Sequence, residues 1–456
     1  MASKTAFALT AWEKPCFGKR RSQKSWCPYP KGVITIYTSY SGQISLINLS
    51  VLWCSQPAVR LKSMKKKAII LQSGGSTAVI NQSLAGVIYE AKRSKTLSHL
   101  YGSRFGILGI LKPNWINLLE CPPRTLTALG ETPSSALGSC RHQLNQRECS
   151  QAISTLKRRG VETIFIIGGN DSAQTGLKLA RQARVKREKL QVIGIPKTID
   201  NDLPGMDHAP GYGSVARFFA QTVQEAALDT RAIRYSDPVK IIETMGRDSG
   251  WITASAALGR KKYEDGPHLL YFPERPFHLS KFLQDVKRVY KRFGFAVIVI
   301  SETIRDHHGK RIGSPASVVA KDQFGHAYVE GTAQYLCHFL ESKMGVRARF
   351  DKPGTIQRMA MAYISKVDQK EAFGCGVHAV RLMRRSESGV MVAMKRFSNK
   401  PYRIQYDMVS LEQVAGHEKA LPANFINRAG NDVTDAFKRY ALPLTGPMPH
   451  NHVSFV

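Results

Sequence analysis

Acidic residues are scarce in this chain: 34 Asp and Glu stand against 66 Lys and Arg over 456 residues, a formal net charge of +32. Nothing groups that excess into an Arg-rich block or a basic stripe with interleaved aromatics, so the sequence offers no dedicated nucleic-acid site. A positive field also suits phosphorylated small molecules, and that is the reading adopted. Long apolar runs are missing too. A membrane-spanning helix needs about 18 consecutive apolar residues, and the nearest candidate, Val33 to Cys54, is interrupted by Thr, Ser, Tyr, Gly, Gln and Asn. The eight cysteines (Cys16, Cys27, Cys54, Cys121, Cys140, Cys149, Cys337 and Cys375) form no CxxC pair and no zinc spacing. In a chain this long they read as reduced thiols of a cytoplasmic protein, not as a disulfide framework. With 43% hydrophobic residues the composition excludes general disorder.

What is present falls into two unequal parts. Residues 1–63 hold nine Lys and Arg against one acid, Glu13, and sustain no helical or strand period. At Met64 the character changes: three lysines lead into Ala68-Ile69-Ile70-Leu71, a buried-strand run. The expectation is that folding starts near Met64. Residues 1–63 then read as a start-site artefact, or as a disordered or transit-type extension.

From there, short apolar runs alternate with helical patterns. Strands are predicted at Ala68–Leu71, Thr163–Ile167, Gln191–Ile195 and Ala296–Ile300. Helices are predicted over Ala78–Arg93, Ser172–Arg184 and Ile252–Leu258. Continuous apolar strands alternating with helices imply a parallel, doubly wound α/β sheet. Ligands of such sheets sit at the carboxyl ends of the strands.

Four loops at those ends carry chemistry. Gln72-Ser73-Gly74-Gly75-Ser76-Thr77 joins a strand to a helix, and its glycine pair suits a phosphate cradle, although paired glycines also make plain turns. Gly168-Gly169-Asn170-Asp171-Ser172 repeats the pattern and adds oxygen ligands of the kind Mg²⁺ takes; an Asx cap on the following helix is the structural alternative. Pro196-Lys197-Thr198-Ile199-Asp200-Asn201-Asp202 gathers two carboxylates and a lysine directly after an apolar strand. Phosphoryl transfer needs such a set: a carboxylate to accept a hydroxyl proton and a cation to offset charge on the moving group. In Met245-Gly246-Arg247-Asp248-Ser249-Gly250, the glycine permits close approach and Arg247 can clamp a phosphate or a sugar oxygen.

The order GG…GSCR…GGNDS…PKTIDND…MGR…SE…GTIQR resembles the phosphofructokinase family from about Lys65 to about Leu444. The resemblance implies two Rossmann-like α/β domains with the active site between them, and transfer of a phosphoryl group to the 1-hydroxyl of fructose 6-phosphate. It implies a donor lobe over about 64–209 with part of 360–415, a sugar-phosphate lobe over about 210–358 with the C-terminal segment, and a tail over 445–456. Carried over by position, Asp200 is the general base, and Thr198, Ile199 and Asp202 are neighbours contacting substrate and the metal–phosphate group. Gly74 meets the donor phosphates and Arg141 bridges donor and acceptor. Met245, Gly246 and Arg247 form the sugar-phosphate loop, Glu302 holds sugar hydroxyls, and Thr355 and Arg358 belong to the segment binding the 6-phosphate. Arg349 falls where bacterial relatives place an arginine that reaches a neighbouring subunit. A second such arginine is replaced by Pro238, with Lys240 the nearest cation.

Two positions bear on the donor. ATP-using members of the family usually carry glycine where this chain has Asp171 and Lys197. A carboxylate at 171 crowds and repels the α-phosphate of a nucleotide but leaves room for pyrophosphate. An ammonium at 197 stands where the leaving phosphate gathers charge. The pattern resembles the pyrophosphate-dependent branch, with an ATP-dependent 6-phosphofructokinase or related sugar-phosphate kinase as the alternative. Expected ligands are fructose 6-phosphate, pyrophosphate and Mg²⁺ held by Asn170 and Asp202, and the expected assembly is a homodimer. Asn170 stands where the family usually has Asp, so either Asp171 compensates or the metal is held mainly through pyrophosphate and Asp202.

Overall fold

Ala68 and Ile70 point to one face of β1 (Lys66–Gln72) and Ile69 and Leu71 to the other, and all four are buried. A strand apolar on both sides needs cover on both. The computed structural model, which describes residues 39–40, 43–44, 65–313, 331–448 and 452–456, supplies it. The chain divides between Ser63 and Met64 into two units. In the first, Ser39–Tyr40 pairs antiparallel with Gln43–Ile44. The expectations for the remainder of residues 1–63 lie outside the described residues. The second unit carries two larger sheets.

One face of the larger sheet is covered by α1 (Ile80–Ser94) and by α9 (Lys366–Arg384), named in chain order with the elements below. These two helices approach to backbone contact. A Cβ on Gly86 would fall 2.1 Å from the Phe373 carbonyl oxygen, and one on Gly376 would fall 2.1 Å from that of Ser83. The opposite face is covered by α2 (Gln146–Arg158) and α3 (Asn170–Val185). β2 (Leu97–Ser103) and β4 (Val161–Gly168) flank β1 in parallel, and β5 (Gln191–Pro196) continues in parallel beyond β4.

Both edges of this sheet depart from the parallel order that the apolar runs suggest. β3 (Trp115–Asn117) pairs antiparallel with β2. At the other edge β10 (Val390–Asn399) runs parallel to β5, and β11 (Tyr402–Ser410) folds back antiparallel on it. The complete order is β11-β10-β5-β4-β1-β2-β3. The smaller sheet is parallel throughout, in the order β9 (Ala348–Asp351), β6 (Val239–Thr244), β8 (Ala296–Ser301), β7 (Leu269–Tyr271). Helices α6 (Leu279–Phe293) and α7 (Thr332–Met344) cover one face of it. On the other face, α4 (Tyr212–Ala232), the short α5 (Trp251–Ser255) and α10 (Asp435–Thr445) share a core with Val297 and Val299. Each fully buried side chain of this kind contributes about 1.5–3 kcal/mol.

The predicted strands and helices are present, with ends displaced by a few residues. One displacement matters for chemistry. α3 begins at Asn170, with Gly169 in the N-cap position. Asn170 and Asp171 therefore occupy the first helical turn instead of capping a helix that starts at Ser172. Their side chains are free of capping duty. α10 extends to Thr445 and Met448 is buried, so packing continues past the expected end at Leu444.

The long loop between β5 and α4 is pinned by a buried ion cluster. His208 is 1% exposed; Nδ1 lies 2.7 Å from Asp207 Oδ2 and Nε2 lies 2.7 Å from Glu371 Oε2. With an acceptor on each ring nitrogen, the imidazole is doubly protonated. Burial works against that charge, but Glu371 and Asp207 outweigh it and push the group up to about 9 from an ordinary 6.5. Since the folded value is the higher, the stabilisation is complete below about 6.5 and disappears as pH rises through about 9. The thermal midpoint is expected to fall over that interval, and His208→Gln to flatten the fall; calorimetry across pH 6–10 checks it.

Candidate active site

Adjacent strands deliver the functional side chains in two groups. β1, β4 and β5 are neighbours, and their carboxyl ends present Ser73–Thr77, Gly169–Ser172 and Lys197–Asp202. β9, β6 and β8 are neighbours in the smaller sheet and lead into Lys352–Arg358, Met245–Ser249 and Glu302. The two groups line one cleft of about 220 Å³. It takes in Gly74, Arg141, Asn170, Asp171, Lys197, Thr198, Ile199, Asp200, Asp202, Met245, Gly246, Arg247, Glu302 and Arg358, fourteen of the sixteen residues singled out from the sequence.

The donor side is built around the first glycine pair. Ser73 N–H donates to the Ile167 carbonyl (2.9 Å) and Gly74 N–H to that of Cys140 (3.1 Å), which ties the loop to β4 and to the segment bearing Arg141. Gly74 has φ +76°. A Cβ on Gly75 would lie 2.6 Å from Arg358 Nη1 and 3.7 Å from Arg141 Nη2, so glycine lets the Arg358 guanidinium lie against the loop without being displaced. Beneath them Lys197, 5% exposed, donates from Nζ to the Gly75 carbonyl at 2.6 Å. Burial and the nearby Arg358 lower its ammonium to about 8. Three cations converge on one small volume, as a polyanion requires.

Facing them is the carboxylate loop. Asp200 N–H donates to Thr198 Oγ1 (3.1 Å), and the Asp200 carbonyl accepts from Ser249 Oγ (3.1 Å), so the loop is tied to both sheets. Burial, then Asp202 and Glu302, push the Asp200 carboxyl up to about 8 against the pull of Arg247 and Lys197. A carboxylate with so high a proton affinity can act as a base near neutrality. Burial likewise raises Asp202 and Glu302.

The same loops offer oxygen donors to a metal. Asn170 Oδ1, Asp200 Oδ1 and Asp202 Oδ1 are all buried and without hydrogen-bond partners. Asn170 Nδ2 donates to Asp202 Oδ2 at 3.3 Å, which presents the amide oxygen and the carboxylate side by side. Oxygen-only ligands suit a hard divalent cation that keeps several waters. Among the described residues no group of three or more His, Cys, Asp or Glu is placed to hold a metal ion, so Asn170 and Asp202 would supply only part of a coordination shell.

Two expected residues lie apart from the cleft. Arg349, on β9, is paired with Asp237 (Nε to Oδ1, 3.2 Å), and Lys240 is paired with Asp351 at 3.0 Å. Thr355 is exposed at the start of the short helix α8 (Ile356–Met359). Arg358, grouped with Thr355 by motif, instead lies with Arg141 over Gly75. Gln357 fixes that turn: it donates to the Gly354 carbonyl (2.7 Å) and accepts from Met245 N–H (3.0 Å). Sequence reasoning missed Ser76, Thr77, Asp248, Ser249 and Glu418, which also line the cleft. The first four lie inside the quoted loops but were given no role of their own. Glu418 sits in an unpatterned loop and carried no signal.

Comparison with known proteins agrees with this geometry. The family model described as phosphofructokinase matches residues 67–383. The chain is 38% identical over 387 residues to pyrophosphate–fructose 6-phosphate 1-phosphotransferase of Rhodospirillum rubrum, covering 84% of this chain and 95% of that one. It is 38% identical over 379 residues to the protein of the same name from Xanthomonas campestris, covering 82% and 90%. The crystal structure of a pyrophosphate-dependent phosphofructokinase from Nitrosospira multiformis superposes with a TM-score of 0.75 at 34% identity, over 86% of this chain and 94% of that one. A mixed and a parallel sheet meeting at a cleft lined by cations and carboxylates, with these matches over most of the length, establish that the chain belongs to the phosphofructokinase family.

Proposed function

We propose that the chain is a pyrophosphate-dependent 6-phosphofructokinase. It moves a phosphoryl group reversibly between inorganic pyrophosphate and the 1-hydroxyl of fructose 6-phosphate, in the cytoplasm and with Mg²⁺. The observation that carries the reading is the pairing, within one cleft, of Asp171 in the first turn of α3 with the buried ammonium of Lys197. The first obstructs the innermost phosphate of a nucleotide; the second serves a two-phosphate donor.

In this reading Arg247 and Glu302 hold the sugar phosphate, with Met245 and Gly246 lining its side of the cleft. Asp200 takes the proton from the 1-hydroxyl. The freed oxygen forms a bond to the terminal phosphorus as the bond from that phosphorus to the bridging oxygen breaks. Lys197 and Arg141 balance the charge on the departing phosphate. Arg358, from its position over Gly75, is assigned to the transferring phosphoryl group and not to the 6-phosphate. Asp202 and Asn170 are the residues that would hold Mg²⁺, which when bound neutralises phosphate charge. One phosphoanhydride bond is broken and one phosphate ester bond is made, and breaking the first releases little more free energy than making the second consumes, so neither direction is closed.

The assembly is read as a homodimer. Tyr235 is 93% exposed, and Phe350 and Ile356 are also exposed around the edge strand β9, an apolar surface that a second copy would cover. Sedimentation at the mass of two chains is the expected result, and a monomer at micromolar concentration would refute it.

The direct test is turnover of fructose 6-phosphate with Mg²⁺ and each donor in turn. Pyrophosphate is expected to support turnover and ATP is not, while Asp171→Gly is expected to raise the rate with ATP; the reverse donor preference would end the proposal. Lys197→Met is expected to lower kcat with pyrophosphate by roughly 10²–10³, a few kcal/mol of transition-state stabilisation, measured in steady state against the wild type.

A further inference from the structure

The carboxylates Asp200 and Asp202 flank Asn201, which is fully buried and has φ +54°, a left-handed conformation that costs energy for any residue but glycine. Something must hold it there. Asn201 Oδ1 accepts from Ala209 N–H (3.1 Å), and Nδ2 donates to the Tyr440 hydroxyl oxygen (3.1 Å). The Tyr440 hydroxyl in turn donates to the Asp207 carbonyl at 2.8 Å. Asn201 is thus the end of a chain of contacts that leads away from the cleft.

That chain ends in the ion cluster around His208. Asp207 accepts from His208 Nδ1, and its carboxylate is also met by Arg396 (Nε, 3.0 Å). Glu371 holds the other side of the imidazole and accepts from the Tyr402 hydroxyl at 2.5 Å. The Arg396 guanidinium lies between the Tyr402 and Tyr440 rings, 5.0 and 4.5 Å from their centroids. Lys419 completes the frame: Nζ donates to the Asp207 carbonyl (2.7 Å), and its backbone N–H donates to the Asp202 carbonyl (2.7 Å). The parts come from α9, β10, β11, α10 and the loop bearing Glu418, yet all of them converge on one side of the Lys197–Gly211 loop.

We infer that His208, clamped between Asp207 and Glu371, and Tyr440, bridging Asp207 to Asn201, are positioning residues for phosphoryl transfer. They keep Asn201 left-handed and so aim the Asp200 and Asp202 carboxylates into the cleft. This rests on the phosphoryl-transfer reading of the site. The Oδ1 atoms of Asp200 and Asp202, buried and without a protein partner, fit it, since a backbone held in place keeps them from turning toward one. Losing the clamp costs alignment more than binding, because Arg141, Arg247, Glu302 and Arg358, which hold the phosphates and the sugar, lie on other loops.

The test uses His208→Gln and Tyr440→Phe in the full chain. Both are expected to lower kcat roughly 10- to 100-fold while leaving KM for fructose 6-phosphate and pyrophosphate within about threefold, the signature of misaligned reacting groups. Amide hydrogen exchange across residues 198–206 is expected to quicken in both, and in Tyr440→Phe without a matching drop in thermal midpoint. Should His208→Gln not fold, Tyr440→Phe decides alone. Unchanged kcat and unchanged exchange in folded Tyr440→Phe would overturn the inference, as would a kcat loss matched by an equal loss of substrate binding. A wild type that exchanges slowly over 198–206 but turns over no pyrophosphate would refute the functional reading, and the exchange comparison would still judge the clamp.

Discussion

Lys197 and Asp200 line the same cleft, both are held out of water, and each is forced toward neutrality by its surroundings. Burial and Arg358 depress the lysine, while burial and the carboxylates Asp202 and Glu302 raise the aspartate. Neither arrangement favours the fold alone. Like charges held close in a dry cleft cost stability unless an ion of opposite sign arrives, and here there are two such groups side by side. A polyanion satisfies the three cations and a divalent cation satisfies the orphaned oxygens. The cleft is an electrostatic frame completed by what it binds, and much of the remaining architecture exists to hold that frame rigid.

The scaffold provides rigidity in layers. Strands apolar on both faces force helices onto both sides of each sheet, and the strand ends then emerge together at one rim. The glycine contacts between α1 and α9 bring those helices to backbone distance. The cluster around His208 works differently, since it places charge in the interior. Removing one partner of such a cluster leaves an unmatched ion, so the network specifies a geometry more than it adds net stability.

How much of this was readable in advance depended on the range of the interactions. The four loops were legible because a strand, its exit turn and the next helix are contiguous, and the glycines, carboxylates and lysine sit within a few residues of one another. The parallel core was legible because runs such as Ala68–Leu71 and Ala296–Ile300 have no polar alternation. Arg358 was not: its motif groups it with Thr355, but the turn set by Gln357 and Met245 swings it over Gly75. The hairpin Val390–Ser410 carries only a weak alternating pattern, and Glu418 lies in a segment with none.

Element types, the order of the phosphate and carboxylate loops, and the residue chemistry that separates a two-phosphate donor from a nucleotide were all legible in the chain alone, because each is written in a few neighbouring residues. Folding alone settles which cations share the cleft, that Arg349 and Lys240 are held by Asp237 and Asp351, and that Asn201 hangs from Tyr440 across 239 positions of chain. Contacts of that separation depend on how two sheets and a C-terminal helix pack, and packing is a property of all the side chains together, with no local pattern to announce it.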